Sequence, residues 1–267
     1  MSKQYIKDKN GIIIGEYNSK AKGYRYYIKG NAKSSVTTKI GKRTKPDFQN
    51  WYKSNRDNSI KEIMIMDNKP IDQINKFIKR VQKRAEEKES FGRDIGSELH
   101  EWIDLFFKNK KEPALPESEP LKTMVIKWKR FWKSQKFKVV ASELPLYSPK
   151  FDCCGTNDVI VTKDSWKGQN AVLDWKTSRD YTFDQAIQVE MYRRFIEETT
   201  DFKIQKLAIV NIPKEYNKKV SMYVLKIDDS YFKGFEAMTY LDQLESNFNN
   251  DVKKWKEENK KNVKKTK

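Results

Sequence analysis

The stretch Gly155–Tyr192, GTNDVIVTKDSWKGQNAVLDWKTSRDYTFDQAIQVEMY, decides how the chain is read. It opens with Gly-Thr-Asn leading into an isolated Asp158. A turn around Lys167-Gly168 follows, then the apolar run AVLDW, which encloses Asp174 and ends at Lys176. On a strand, successive side chains point to opposite faces, so Asp174 and Lys176 share one face and Trp175 takes the other. Burying a carboxylate and an ammonium in a strand costs on the order of several kcal/mol unless something compensates. Two carboxylates from different points of a hairpin, facing one cavity, make a hard oxygen site suited to Mg²⁺ or Mn²⁺. A lysine two residues beyond can hold a hydroxide or carry charge at a phosphate. Read alone, the triplet fits equally well a surface hairpin with an Asp–Lys pair.

The flanks add to it. After Thr177 and Ser178 a helix is expected to open near Thr182, with Gln185, Gln188 and Tyr192 on one face. A polar and aromatic stripe is not what a core-seeking helix shows. The order Gly155-Thr-Asn-Asp158, then Asp174-Trp-Lys176-Thr177, then Gln188-Val-Glu-Met-Tyr192 resembles the PD-(D/E)XK nuclease superfamily in its RecB-like branch. That branch carries a Gly-x-x-Leu-His motif upstream, matched here by Gly96-Ser-Glu-Leu-His100; His100 is the only histidine of the chain.

The resemblance implies a restriction-endonuclease-like α/β core over about Phe91 to Asp228, with a mixed sheet of about five strands flanked by helices. It implies that Asp158, Asp174, His100 and the carbonyl of Trp175 bind Mg²⁺ or Mn²⁺, as one or two ions, with Glu143 of the preceding strand joining them. Asp158, Asp174 and Lys176 would be catalytic, Lys176 positioning or deprotonating the attacking water. Gln185, Gln188, Tyr192, Thr177 and Ser178 would contact DNA or orient the lysine. The segment Ser35-Val-Thr37-Thr38, followed by Lys45-Pro46 and a helix containing Trp51, is similar to the leading segment of phage exonucleases and of the mitochondrial genome maintenance exonuclease; its hydroxyls would meet phosphate. The activity implied is a metal-dependent DNA exonuclease acting on single strands or free ends, in phage or mobile-element replication, recombination or repair. An endonuclease or RNA enzyme of the same fold, or a catalytically weak DNA-binding protein built on it, are the alternatives. Phage or host recombination and replication proteins are candidate partners.

Composition agrees with a polyanionic partner. The 267 residues carry a formal net charge of +18, and nucleic acid is the first candidate for that excess. An AT-rich coding bias toward lysine would produce part of the same signal. Aromatic residues make up 13% of the chain, against disorder. The only cysteines are the neighbours Cys153 and Cys154, which rarely bridge and are too few for the four-cysteine iron–sulfur cluster of some RecB-like nucleases. A reducing cytoplasm, bacterial or of a phage-infected cell, fits them. No apolar run approaches a membrane span, and the N-terminus lacks a signal-peptide core.

Along the chain, residues 4–30 read as β, with Asn10-Gly11 marking a hairpin and GYRYYIKG a third strand. Residues 1–58 form a basic, β-rich extension and 59–267 the nuclease-type domain, with helical insertions and a basic C-terminal helix and tail. Helical segments are expected over 59–90, broken around 68–70, and separately from about Asp94 to Lys108, where His100 and Asp104 lie one turn apart. A helix over Leu121–Gln135, the strand carrying Glu143, a buried strand KLAIVNIP, its antiparallel neighbour VSMYVLKID and a last helix from Ser230 to Glu258 complete the order.

Overall fold

The computed structural model describes residues 4–19, 25–41, 54, 57–65, 67, 69–109 and 112–265. The hairpin in the deciding stretch lies at the centre of a five-stranded sheet. Its strands are β5 (Lys138–Ser148), β6 (Cys153–Thr162), β7 (Ala171–Lys176), β8 (Lys206–Asn211) and β9 (Ser221–Leu225), in that spatial order, once the four earlier strands are counted. All neighbours are antiparallel except β7 and β8, which run parallel and are joined over the helix α4 (Phe183–Thr199). A parallel pair needs such a crossover, because a tight turn can only reverse the chain.

Alternation divides the core into two layers. Val159, Val161, Leu173 and Trp175 pack with Leu99, Ile103, Met124 and Trp128, which lie on α2 (Ile71–Lys108) and α3 (Leu121–Gln135). Ile160, Val172 and Ile209 pack on the other layer against Ile187, Met191 and Phe195 of α4 and Phe235 of α5 (Ser230–Lys265). The short helix α1 (Val36–Gly41) also packs against α4, α5 and β6. A separate four-stranded antiparallel sheet, β1 (Gln4–Lys7), β2 (Ile13–Tyr17), β3 (Tyr26–Ile28) and β4 (Asn31–Lys33), lies against β5.

Several expectations change. The N-terminal sheet has a fourth strand. Ser35-Val-Thr-Thr is not a loop: Ser35 Oγ accepts the Thr38 amide at 3.1 Å, so it caps α1, which already contains Thr37 and Thr38. The helix expected around Trp51 lies outside the described residues. Helical residues 57–65 end before Pro70 as expected, but the next helix does not stop near residue 90. It continues through Gly92 and Gly96 to Lys108 as one 38-residue element. Each glycine costs a helix about 1 kcal/mol relative to alanine, which packing of Ile95, Leu99, Trp102 and Ile103 offsets. The last helix runs to Lys265, past Glu258.

Gly155 shows how tightly the sheet and α4 meet. A Cβ there would lie 2.6 Å from Cε1 of Tyr192, a ring that is itself buried. Gly155→Ala should therefore lower stability by about 1–3 kcal/mol through overpacking, read as a lower urea midpoint at unchanged slope. An unchanged midpoint would show that Tyr192 is free to move aside.

Candidate metal centre

β6 and β7 hydrogen-bond from Val159–Leu173 onward and part before it, so Asp158 and Asp174 emerge where the two strands separate. Both are buried. Asp158 is held from two sides: its Oδ2 accepts the Trp175 amide at 2.7 Å, and its Oδ1 lies 3.4 Å from His100 Nδ1. Glu143 reaches the same point from β5. It sits between Ser142, paired with Val159, and Leu144, paired with Asn157, which sets it across from Asp158. Its φ of 47° is in the left-handed region, which a non-glycine residue adopts only at a cost of roughly 1–3 kcal/mol. One ligand atom each from His100, Glu143 and Asp158 lie within 4.8 Å of one another. Two ligands of a small divalent ion, each about 2.1 Å away, stand at most about 4.2 Å apart, so a slight closure of this triangle suits one.

Asp174 stands beside the triangle. Its buried Oδ2 lies 2.5 Å from Lys176 Nζ, as one half of an ion pair. Gln188 ties the group to α4: its Nε2 donates to Asp174 Oδ1 at 3.3 Å and to Tyr192 OH at 2.8 Å, and its Oε1 accepts from Lys176 Nζ at 3.1 Å. Lys176 is thereby fixed between an acid and an amide.

The charges account for the proton affinities. Burial pulls the His100 imidazole down, but the neighbouring Asp158 carboxylate more than reverses this and raises it to about 9. Burial, then the Asp158 and Asp104 charges, push Glu143 up to about 8. Burial raises Asp174 to about 6 against the opposing pull of Lys176. For Asp158 burial opposes ionisation, but His100, Lys176 and the Trp175 amide together hold it below the usual carboxylate range. Without a metal, Glu143 and the His100 imidazole therefore hold protons at neutral pH that a divalent ion would displace, while Asp158 is ionised. A nitrogen ligand among carboxylates suits Mn²⁺ better than Mg²⁺.

Around these groups is a cleft of about 930 Å³. Thr37, Thr177, Ser178 and Tyr192 line it. Ser35 and Thr38 stand behind Thr37 and hydrogen-bond within the α1 cap. Gln185 is not part of the exposed stripe expected of it. Its side chain completes a capping box with Thr182 and donates to Ser178 Oγ at 2.9 Å, so it is spent on the start of α4. Ser178 in turn donates to the Asp180 carbonyl. The Trp175 side chain is buried among Trp128 and Trp132, and its amide, rather than its side chain, orients Asp158. Tyr17, Arg25, Tyr26 and Lys214 also line the cleft. Sequence patterning could not find them, since they come from the other sheet and a distant loop. Asp104, one turn beyond His100, is buried and accepts Lys108 at 2.8 Å.

No protein-family model matches the chain, and no curated protein matches it. Among solved structures, “Crystal structure of SSO0001” aligns over 47% of this chain at 14% identity, with a TM-score of 0.29. The alignment spans 61% of that structure's length. A likeness this low carries no argument about either fold or activity.

The pH dependence of stability follows in sign. His100, raised from 6.5 to about 9, stabilises the metal-free protein fully below pH 6.5, and this is lost as pH rises through 9. Glu143, raised from 4.5 to about 8, costs stability as pH climbs over that interval. The melting temperature in chelator should fall between pH 6.5 and 9, and Mn²⁺ should restore it more strongly at the upper end. A profile that is flat in chelator and indifferent to Mn²⁺ would remove the metal from this site.

Proposed function

We infer that the chain is a metal-dependent nuclease that hydrolyses phosphodiester bonds in DNA, working from the ends of single strands. The observation that carries this reading is the convergence of His100, Glu143 and Asp158 on one point, with the Asp174–Lys176 pair beside it in an open cleft. The five-stranded mixed sheet, with its β7–α4–β8 crossover, is compatible with a restriction-endonuclease-like core. The formal charge of +18 supports a polyanionic substrate.

His100, Glu143, Asp158 and Asp174 would hold the ion. When bound, it supplies Lewis acidity at a phosphoryl oxygen and lowers the pKa of water. The chain's own groups do the rest. Lys176 positions the attacking water and sets a positive charge against the phosphate as negative charge builds there. Gln188, bonded to both Lys176 and Asp174, fixes the direction of the ammonium, and Tyr192 fixes Gln188. Thr37, Thr177 and Ser178 offer hydroxyls to the strand along the cleft.

The test is digestion of end-labelled linear, circular and duplex DNA with Mg²⁺, Mn²⁺ or chelator. Linear single strands should be shortened from an end in metal and left whole in chelator, and circles should survive. Cutting of circles would favour an endonuclease, and no cutting in any metal would favour a DNA-binding protein. In the active protein, Lys176→Ala should lower turnover by about 10² or more while strand binding, measured in chelator, changes little. Near-normal turnover would overturn the role given to Lys176.

A further inference from the structure

Two walls of the cleft come from outside the metal centre. One is the end of the N-terminal sheet where β2 closes and β3 begins, which presents Tyr17 and Arg25. That sheet is anchored near the centre. The Tyr26 hydroxyl lies 3.0 Å from Thr156 Oγ1, two residues before Asp158, and the Tyr17 ring stacks on Tyr26 with centroids 4.8 Å apart. The other wall is the loop after β8, where Lys214 Nζ donates to the Gly92 carbonyl of α2 at 3.0 Å. The glycine leaves room for that contact, since a Cβ there would lie 3.3 Å from Nζ.

The floor between these walls is acidic, but the two wall cations are not used to neutralise it. Arg25 is exposed and, among the described residues, its guanidinium has no ion pair. Lys214 gives one donor to Gly92 and keeps two more. The Tyr17 phenol feels the charges of Glu143, Arg25 and Asp158 together. Across the cleft the charge runs basic, acidic, basic.

We propose that the cleft takes one strand of nucleic acid with its scissile phosphate at the metal centre, and that Arg25 and Lys214 are positioning residues for the phosphates on either side. The inference rests on the nuclease reading above and adds the path of the substrate to it. A phosphodiester backbone is the polyanion that repeats its charge regularly enough to meet both cations at once. A guanidinium binds a phosphate in bidentate fashion and remains charged at any working pH. A cleft of about 930 Å³ has the size of a small-ligand site. It admits a few nucleotides of one strand. The N-terminal sheet is then part of the substrate site and not a detached platform.

The test is fluorescence anisotropy of a labelled single-stranded oligonucleotide in chelator, so that nothing is cut, across a salt series. Arg25→Ala should weaken binding about tenfold and flatten the log–log salt slope by about 0.7, the loss of one phosphate contact. Arg25→Lys should restore the slope but only part of the affinity, because an ammonium cannot bind in bidentate fashion. Lys214→Ala should flatten the slope likewise. A blunt duplex of the same sequence should bind more weakly and be indifferent to Arg25→Ala. Mn²⁺ affinity by calorimetry should be unchanged in Arg25→Ala. Wild-type affinity and slope in Arg25→Ala, or a loss of Mn²⁺ binding with it, would overturn the proposal. If the strand binds through Arg25 but no metal supports cutting, the nuclease reading falls and this one stands. If the wild type cuts and Arg25→Ala binds normally, only this one falls.

Discussion

Asp104, Glu143 and Asp158 line one cleft and the buried Asp174 lies beside them, four acids against the two ammonium groups paired within the cluster, Lys108 and Lys176. This imbalance is what the rest of the site answers to. Lys108 is bound to Asp104 and Lys176 to Asp174, which leaves Asp158 and Glu143 without a cation of their own. In the metal-free protein they are tolerated because His100 stays protonated against Asp158 and Glu143 keeps its proton. A divalent ion would replace those protons and match the two uncompensated charges. An isolated buried carboxylate is costly, and the ion proposed for this site would relieve that cost.

The scaffold holds this charge in place by rigid means. The Trp175 amide orients Asp158, and Trp175 itself packs edge-on against the stacked pair Trp128 and Trp132. Glu143 keeps its left-handed backbone where β1 meets β5. With its amide turned to suit both neighbours, Gln4 donates to the Glu143 carbonyl at 3.0 Å and accepts from Lys108 at 3.3 Å. The N-terminal sheet thus touches the backbone of Glu143 and the ammonium paired with Asp104 through one side chain. On the far side, Gly155 lets Tyr192 close against the sheet, and Tyr192 in turn holds Gln188.

The sequence was informative where a pattern is local. Alternation around Asp158 and Asp174, the turn at Lys167-Gly168, and the succession of strands β5 to β9 along the chain could be read from neighbours in the sequence. His100, Asp158 and Asp174 stand out by motif order and Glu143 by its place on the preceding strand; His100, Glu143 and Asp158 meet at one point, with Asp174 beside them paired to Lys176. What could not be read depends on contacts made at a distance. The sequence suggests a break between about residue 90 and Asp94, yet packing carries α2 through it, and the bare surfaces of Gly92 and Gly96 admit Lys214 and Thr177. Gln185 lies on the expected helical face but is drawn into the cap by Thr182, a competition between backbone and ligand that spacing alone does not decide. Arg25 and Tyr17 carry no motif at all and acquire a place only when β2 and β3 are set against β6.

The most direct test uses the fact that His100 is the only histidine of the chain. Pulsed electron paramagnetic resonance on the Mn²⁺-loaded protein reads nitrogen coupled to the ion, and a single imidazole can come from nowhere else. The account requires one imidazole nitrogen signal from the bound ion, abolished in His100→Ala. Bound Mn²⁺ with no nitrogen coupling, or the same coupling in His100→Ala, would contradict it.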